Sequence, residues 1–145
     1  MLFKKRLLSL SEEETLTKAI KQAEEKTSGE IRVHVTETCK GDPVEECKRL
    51  FFELKMHETK HRNGILFYLA LKSRTFAVWG DEGIHEKVKD EFWQSISAAA
   101  INEFKHNRLA SGLEKAVTLC GEKLKLHFPV EVNDTNELSN DISYQ

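Results

Sequence analysis

The sequence predicts an α/β fold: a three-layer α/β/α sandwich around a small mixed sheet. Three observations carry this. Residues 65–71 are apolar throughout, as in a central strand covered on both faces. Ile31, Val33 and Val35 alternate with polar residues, as in a half-buried strand. Around these runs lie segments whose apolar residues recur at helical spacing, so helices and strands alternate along the chain.

In chain order, Ser11 followed by Glu14 reads as a capping box that opens a helix carrying Leu16, Ala19, Ile20 and Ala23, with Gly29 as its stop. The first strand follows. Asp42 then caps a second helix, Pro43 suits its first position, and Val44, Cys47, Leu50, Phe51 and Leu54 form its apolar stripe. After the central strand, Lys72-Ser73-Arg74 turns the chain into a third strand over residues 75–79, closing a hairpin. Beyond Gly80-Asp81-Glu82-Gly83, the residues Ile84, Val88, Phe92 and Ile96 fall four apart with Trp93 beside them, predicting one helix. Asn107 breaks it, Leu109, Leu113, Ala116, Val117, Cys120 and Leu124 mark a last helix, and Pro129 ends that. This yields one domain over residues 11–128, preceded by a segment of residues 1–10. Residues 129–145 follow as an acidic tail; from 131 onward it holds four carboxylates and no cation, and it is expected to be disordered. One right-handed crossover joins the first two strands in parallel, and the third runs antiparallel.

Composition narrows the function. The 145 residues are 39% apolar and 32% charged with net charge −2, and the basic residues cluster only at Lys4-Lys5-Arg6. A nucleic-acid partner needs a basic face, so none is expected. The apolar run near the start is too short for a signal-peptide core, and no run is long enough to span a membrane. Three widely spaced cysteines form no metal or redox pair. A cytoplasmic protein with free thiols is the expectation.

His57-Glu58-Thr59-Lys60-His61 matches the zinc-protease motif H-E-x-x-H. That chemistry needs both histidines one turn apart on a helix and a third ligand. Only Arg62-Asn63-Gly64 separates His61 from the central strand, Lys60 sets a cation inside the motif, and no further ligand follows at a suitable spacing. The match is read as coincidental.

Strand polarity makes a better case. Parallel first and second strands start at one edge of the sheet, and an antiparallel third strand finishes there. Glu30, Arg62-Asn63 and Gly80-Asp81-Glu82 therefore meet on one side. Oxygen-rich sets of this kind suit Ca²⁺ or Mg²⁺, so Glu30, Asn63, Asp81 and Glu82 are the candidate metal ligands.

Gly29-Glu30-Ile31-Arg32-Val33, Arg62-Asn63-Gly64-Ile65-Leu66 and Gly80-Asp81-Glu82-Gly83-Ile84 with Phe92-Trp93 together resemble the TPM domain, found in thylakoid-lumen photosystem-repair proteins and many bacterial proteins. The resemblance runs from about Ser11 to Phe128. It implies an α/β/α sandwich and a divalent-cation site, often for calcium, built from acidic loop residues near the strand ends. Acid phosphatase activity has been ascribed to plant members, while others resemble binding or assembly modules. Two positions depart from the pattern: Arg62 stands where relatives carry an acidic residue before Asn-Gly, and Leu7-Leu8-Ser9-Leu10 stands where they carry an Asp before the first helix. Glu86 is a further carboxylate near the edge. The expected function is a stand-alone, cytoplasmic module that binds Ca²⁺ or Mg²⁺ and acts through a protein partner in assembly or stress repair. The alternative is a metal-assisted acid phosphatase, with Arg62 or His61 holding phosphate. No catalytic residues are assigned.

Overall fold

Ser9, not Ser11, opens the first helix in the computed structural model, which describes residues 7–132 and 136–144. Its side chain accepts from the Glu12 amide at 3.1 Å while Glu12 accepts from the Ser9 amide at 2.8 Å. The capping box thus sits two residues earlier than its other reading frame, where the same Ser-x-x-Glu spacing also occurs. Helix α1 (Leu10–Glu24) buries Leu16, Ala19, Ile20 and Ala23. Strand β1 (Glu30–Thr36) leads to α2 (Pro43–Glu53), where Asp42 accepts from the Val44 amide at 3.1 Å. Val44 itself faces solvent; Cys47, Leu50 and Phe51 form the buried stripe. Strands β2 (Gly64–Ala70) and β3 (Thr75–Gly80) form the expected hairpin.

The predicted third helix is two helices, α3 (Glu82–His85) and α4 (Asp90–Phe104). The reason is geometric. At 3.6 residues per turn, a stripe spaced strictly by four rotates about 40° at each step, so a straight helix cannot keep Ile84, Val88, Phe92 and Ile96 on one face. The break before Asp90 resets the phase, and Ile84, Phe92 and Ile96 all reach one core. Asn107 adopts a left-handed backbone (φ 57°) ahead of α5 (Leu109–His127), as its turn role requires.

With a fourth strand, β4 (Ser143–Tyr144), the sheet has the order β3-β2-β1-β4, with β1 and β2 parallel and β2 and β3 antiparallel. Alternation along the strands divides the core. Ile31, Val33, Val35, Ile65, Phe67 and Leu69 pack beneath α1, α4 and α5, while Leu66, Tyr68, Ala70 and Ala77 face α2. These are the three layers of the sandwich.

The fourth strand, β4 (Ser143–Tyr144), corrects the expectation of a disordered tail. It pairs in parallel with His34 and Val35 of β1. Ser143 Oγ lies 2.9 Å from His34 Nδ1, and Tyr144 donates to Glu13. Leu138 packs on the α2 side of the core and Ile142 on the other, so the acidic stretch is held by a few apolar anchors. His34, bonded to Ser143, is buried, and so is Thr36; alternation had placed both toward solvent. Residues 1–6, 133–135 and 145, on which parts of the expected terminal segments fall, lie outside the described residues. Among the described residues no helix is long and apolar enough to cross a membrane.

Candidate functional site

The strand register fixes the acidic edge. Glu30 pairs with Gly64, and Ile65 with Gly80. The Glu30 amide donates to the Asn63 carbonyl at 3.2 Å, and the Asp81 amide donates to the Gly64 carbonyl at 2.9 Å. Three distant stretches of chain are therefore tied into one rim, as strand polarity predicts. Glu30, Asn63 and Asp81 are 3%, 1% and 2% exposed, whereas the Glu82 side chain is 65% exposed. At strand spacings of about 4.8 Å, Glu30 and Asp81 stand roughly 10 Å apart across β2.

The rim has two halves, and different partners hold them. In the first, Arg62 makes a bidentate contact with Asp81, Nε to Oδ2 at 2.6 Å and Nη2 to Oδ1 at 2.8 Å, and reaches Glu82 Oε1 from Nη1 at 3.0 Å. The hydrogen bonds to Asp81 raise the guanidinium's pKa further above its ordinary value. Asp81 Oδ1 also accepts from the Glu82 amide at 2.8 Å, capping α3. Arg62 has a left-handed backbone (φ 49°), unusual for a residue with a side chain, and its carbonyl accepts from the Gly83 amide at 2.9 Å. Gly83 permits this approach: a Cβ there would stand 2.7 Å from the Arg62 carbonyl oxygen and closer still to that of His61.

In the second half, Glu30 lines a cavity of about 250 Å³ with Glu24, Glu25, Thr27, Ser28 and Asn136. Glu30 Oε1 accepts from the Glu137 amide of the tail at 2.8 Å, and Glu24 accepts from the Ile31 amide at 3.0 Å. Asn63 donates to the Ser28 carbonyl at 3.3 Å, but its buried Oδ1 has no hydrogen-bond partner among the described residues. A buried amide oxygen left unsatisfied is costly, and a cation is one group that would satisfy it.

The structure thus brings Asp81 and Glu82 together through Arg62, and sets Glu30 beside Asn63 but against the tail. Strand-end reasoning missed Glu24, Glu25 and Asn136. The first two occupy the end of α1, next to the turn that feeds β1; a run of glutamates just before a strand was the available signal. Among the described residues, no three His, Cys, Asp or Glu side chains form a ready metal cage. The set available to a cation is one or two carboxylates and an amide, which suits an ion that keeps much of its water, as Mg²⁺ does.

The H-E-x-x-H stretch forms turns between α2 and β2, not a helix. His57 packs on Phe52 with ring centroids 5.1 Å apart, and His61 pairs with Glu131 of the tail. The two histidines therefore do not share the helical face that the protease motif requires. Phe92 is core, and Trp93 packs over Gly80, where a Cβ would lie 2.9 Å from ring atom Cζ2.

The family model of the TPM domain matches residues 3–123. Among solved structures, the chain is similar to the BA42 protein from the psychrophilic bacterium Bizionia argentinensis, at 37% identity over the full length of both chains, with a TM-score of 0.92. It also resembles the N-terminal domain of cg2496 from Corynebacterium glutamicum, at 14% identity, covering 94% of this chain and 80% of that one, with a TM-score of 0.66. For the N-terminal domain of a P. gingivalis protein the figures are 21%, 86%, 82% and 0.69. These last two likenesses concern the fold. No curated protein matches the chain.

Proposed function

Since the chain belongs to the TPM domain family, we propose that it is a binding module whose ligand is a divalent cation, Mg²⁺ or Ca²⁺, taken up at the acidic rim. Glu30 and Asn63 supply the first oxygens, and Asp81 and Glu82 join when Arg62 gives way. Two observations support this reading: the orphaned, buried Asn63 Oδ1, on a residue whose backbone carbonyl accepts from the Glu30 amide, and the acid-lined cavity that Glu30 borders. Arg62 bears on the affinity. Its guanidinium already neutralises Asp81, and a cation using that carboxylate must displace it. Because the Arg62 side chain is 36% exposed, it can swing into water when displaced. A bound ion would order the rim and, by drawing on Glu30, change how the tail is held through Glu137; its role is organisation, with a protein partner reading the outcome.

Amide NMR shifts and thermal stability, followed as Mg²⁺ and Ca²⁺ are added, test this. Selective binding to the folded state raises Tm with ion concentration. Shifts are expected at Glu30, Asn63 and Glu137, to be lost in Glu30→Gln, while Arg62→Gln tightens binding. A flat response to millimolar Mg²⁺ and Ca²⁺ in both the wild type and Arg62→Gln would falsify the reading. The phosphatase alternative draws less support, because the two side chains it would use on phosphate are engaged: Arg62 by Asp81 and Glu82, and His61 by Glu131. Chelator-sensitive phosphate release that Asp81→Asn abolishes would restore it.

A further inference from the structure

The opposite end of the sheet holds a cavity of different chemistry. Where β2 ends and β3 begins, a space of about 400 Å³ opens beneath the α4–α5 corner. Its walls are Leu71, Phe76, Phe104 and Leu109, all packed at the margin of the main core but only partly buried. Among the described residues its charged lining is Arg74 and Lys105, both cations, with no carboxylate. Arg74 donates to Asn107 Oδ1, joining the β2–β3 turn to the α4–α5 turn. Both residues hold left-handed backbones, with φ of 52° and 57°, so the rim is set by turn geometry before any ligand arrives. Neither Arg74 nor Lys105 has a carboxylate partner among the described residues, in a chain with more acidic than basic residues. Ile101, 44% exposed, extends the apolar lining to the surface.

We propose that this cavity is a binding site for an amphipathic monoanion, a medium-chain carboxylate whose alkyl chain enters between Phe76 and Phe104 while its head group meets Lys105 and Arg74. The volume lies within the range of small-molecule sites, and an apolar interior with a few convergent polar groups is their usual character. Water in such a space, roughly a dozen molecules by volume, finds few partners on the walls and is readily displaced by an alkyl chain. The two cations select the head group: a carboxylate gains hydrogen bonds with charge on both partners, which an alcohol cannot offer. A neutral ligand of equal length would leave both cations without an anionic partner.

Decanoate, held below its micelle concentration, would be titrated into the protein and followed by amide and methyl NMR, with decanol as the uncharged control. Shifts are expected at Leu71, Phe76, Ile101 and Leu109, with decanoate about tenfold tighter than decanol or better. Across hexanoate, octanoate and decanoate, affinity should rise about fourfold per methylene and level off once the cavity is filled. Lys105→Glu, an exposed substitution that leaves the fold intact, should remove the preference for the acid. Arg74→Asn, in a residue type that tolerates the left-handed backbone, should weaken it. Three results would overturn the proposal: equal binding of acid and alcohol, affinity that keeps rising with chain length as in unspecific partitioning, or shifts outside the cavity. Shifts at Ile101 that depend on protein concentration without ligand would assign the surface to self-association instead.

Discussion

Replacing Gly83 by alanine sets two forces against each other. Gly83 lies in the first turn of α3 with an unremarkable backbone angle, so helix propensity alone favours alanine by up to about 1 kcal/mol. The packing says the opposite. A Cβ at this position would come within 2.7 Å of the Arg62 carbonyl oxygen and closer to that of His61, and both are backbone atoms that cannot swing aside. The contacts are relieved only by moving α3 away from the loop, which also breaks the 2.9 Å hydrogen bond from the Gly83 amide to Arg62. Overpacking costs about 1–3 kcal/mol and a lost hydrogen bond about 1 kcal/mol more; the reduced freedom of the unfolded chain returns up to about 1 kcal/mol. The net expectation is a destabilisation of about 1–3 kcal/mol, or a fall in Tm of about 3–10 °C for a domain of this size. Calorimetry measures it, with Gly41→Ala as control because a Cβ there meets nothing within 4 Å. A Gly83→Ala protein as stable as the wild type, or more so, would show that the loop is not pressed onto α3 and that Arg62 is not held by this contact.

Two further predictions concern titrating groups. Glu103 is buried against Arg108 Nε at 2.6 Å and also accepts from Lys115; these hydrogen bonds, Lys115 foremost, lower its carboxyl pKa from 4.5 to about 2. A depressed carboxyl stabilises the fold above its unfolded pKa, so its contribution is complete above pH 4.5 and is lost as pH falls toward 2. Glu103→Gln should flatten the acid limb of the Tm profile between those values; an unchanged acid limb would refute the assignment. Burial pushes the Cys47 thiol up to about 12 and that of Cys120 higher still, while Cys39 is only half-buried. A native thiol assay should therefore modify Cys39 alone, and all three after denaturation; fast labelling of a second thiol would contradict the packing around α2 or α5.

Most of the fold was legible because its signals are local. Apolar periodicity located α1, α2 and α5 and read α3 and α4 as one helix, and alternation with uninterrupted apolar runs located three strands. What escaped depended on contacts far apart in sequence. The tail strand carries only Leu138, Ile142 and Tyr144 as anchors within an acidic segment, so composition favoured disorder; its pairing with His34 becomes visible only once β1 is known to lie at an edge. The break between α3 and α4 was encoded in the four-residue spacing, whose phase drift is incompatible with one straight helix. At the site, strand polarity correctly joined Glu30, Asn63 and Asp81. The partition of that rim was hidden, since nothing local to Arg62 says that its guanidinium crosses to a carboxylate 19 residues away.

That partition bears on what an ion could do. An uncompensated carboxylate as buried as Asp81 would cost several kcal/mol, so something must neutralise it in the folded protein. Arg62 does so from within the chain, so a cation would reach Asp81 only by displacing this guanidinium. The Glu30 half is different. Among the described residues its cavity is lined by Glu24, Glu25 and Glu30 with no lysine or arginine, and Glu30 is tied to the tail through the Glu137 amide. Ligation competes for the same carboxylate that holds the tail, whose β4 pairing rests on two residues. On the proposed reading, the tail is therefore the least costly element to move, and a response to cations would begin at Glu137 and β4 before it reached α3. Of the two carboxylates on one rim, Asp81 is neutralised from within the chain, and Glu30 would be the first to meet an ion.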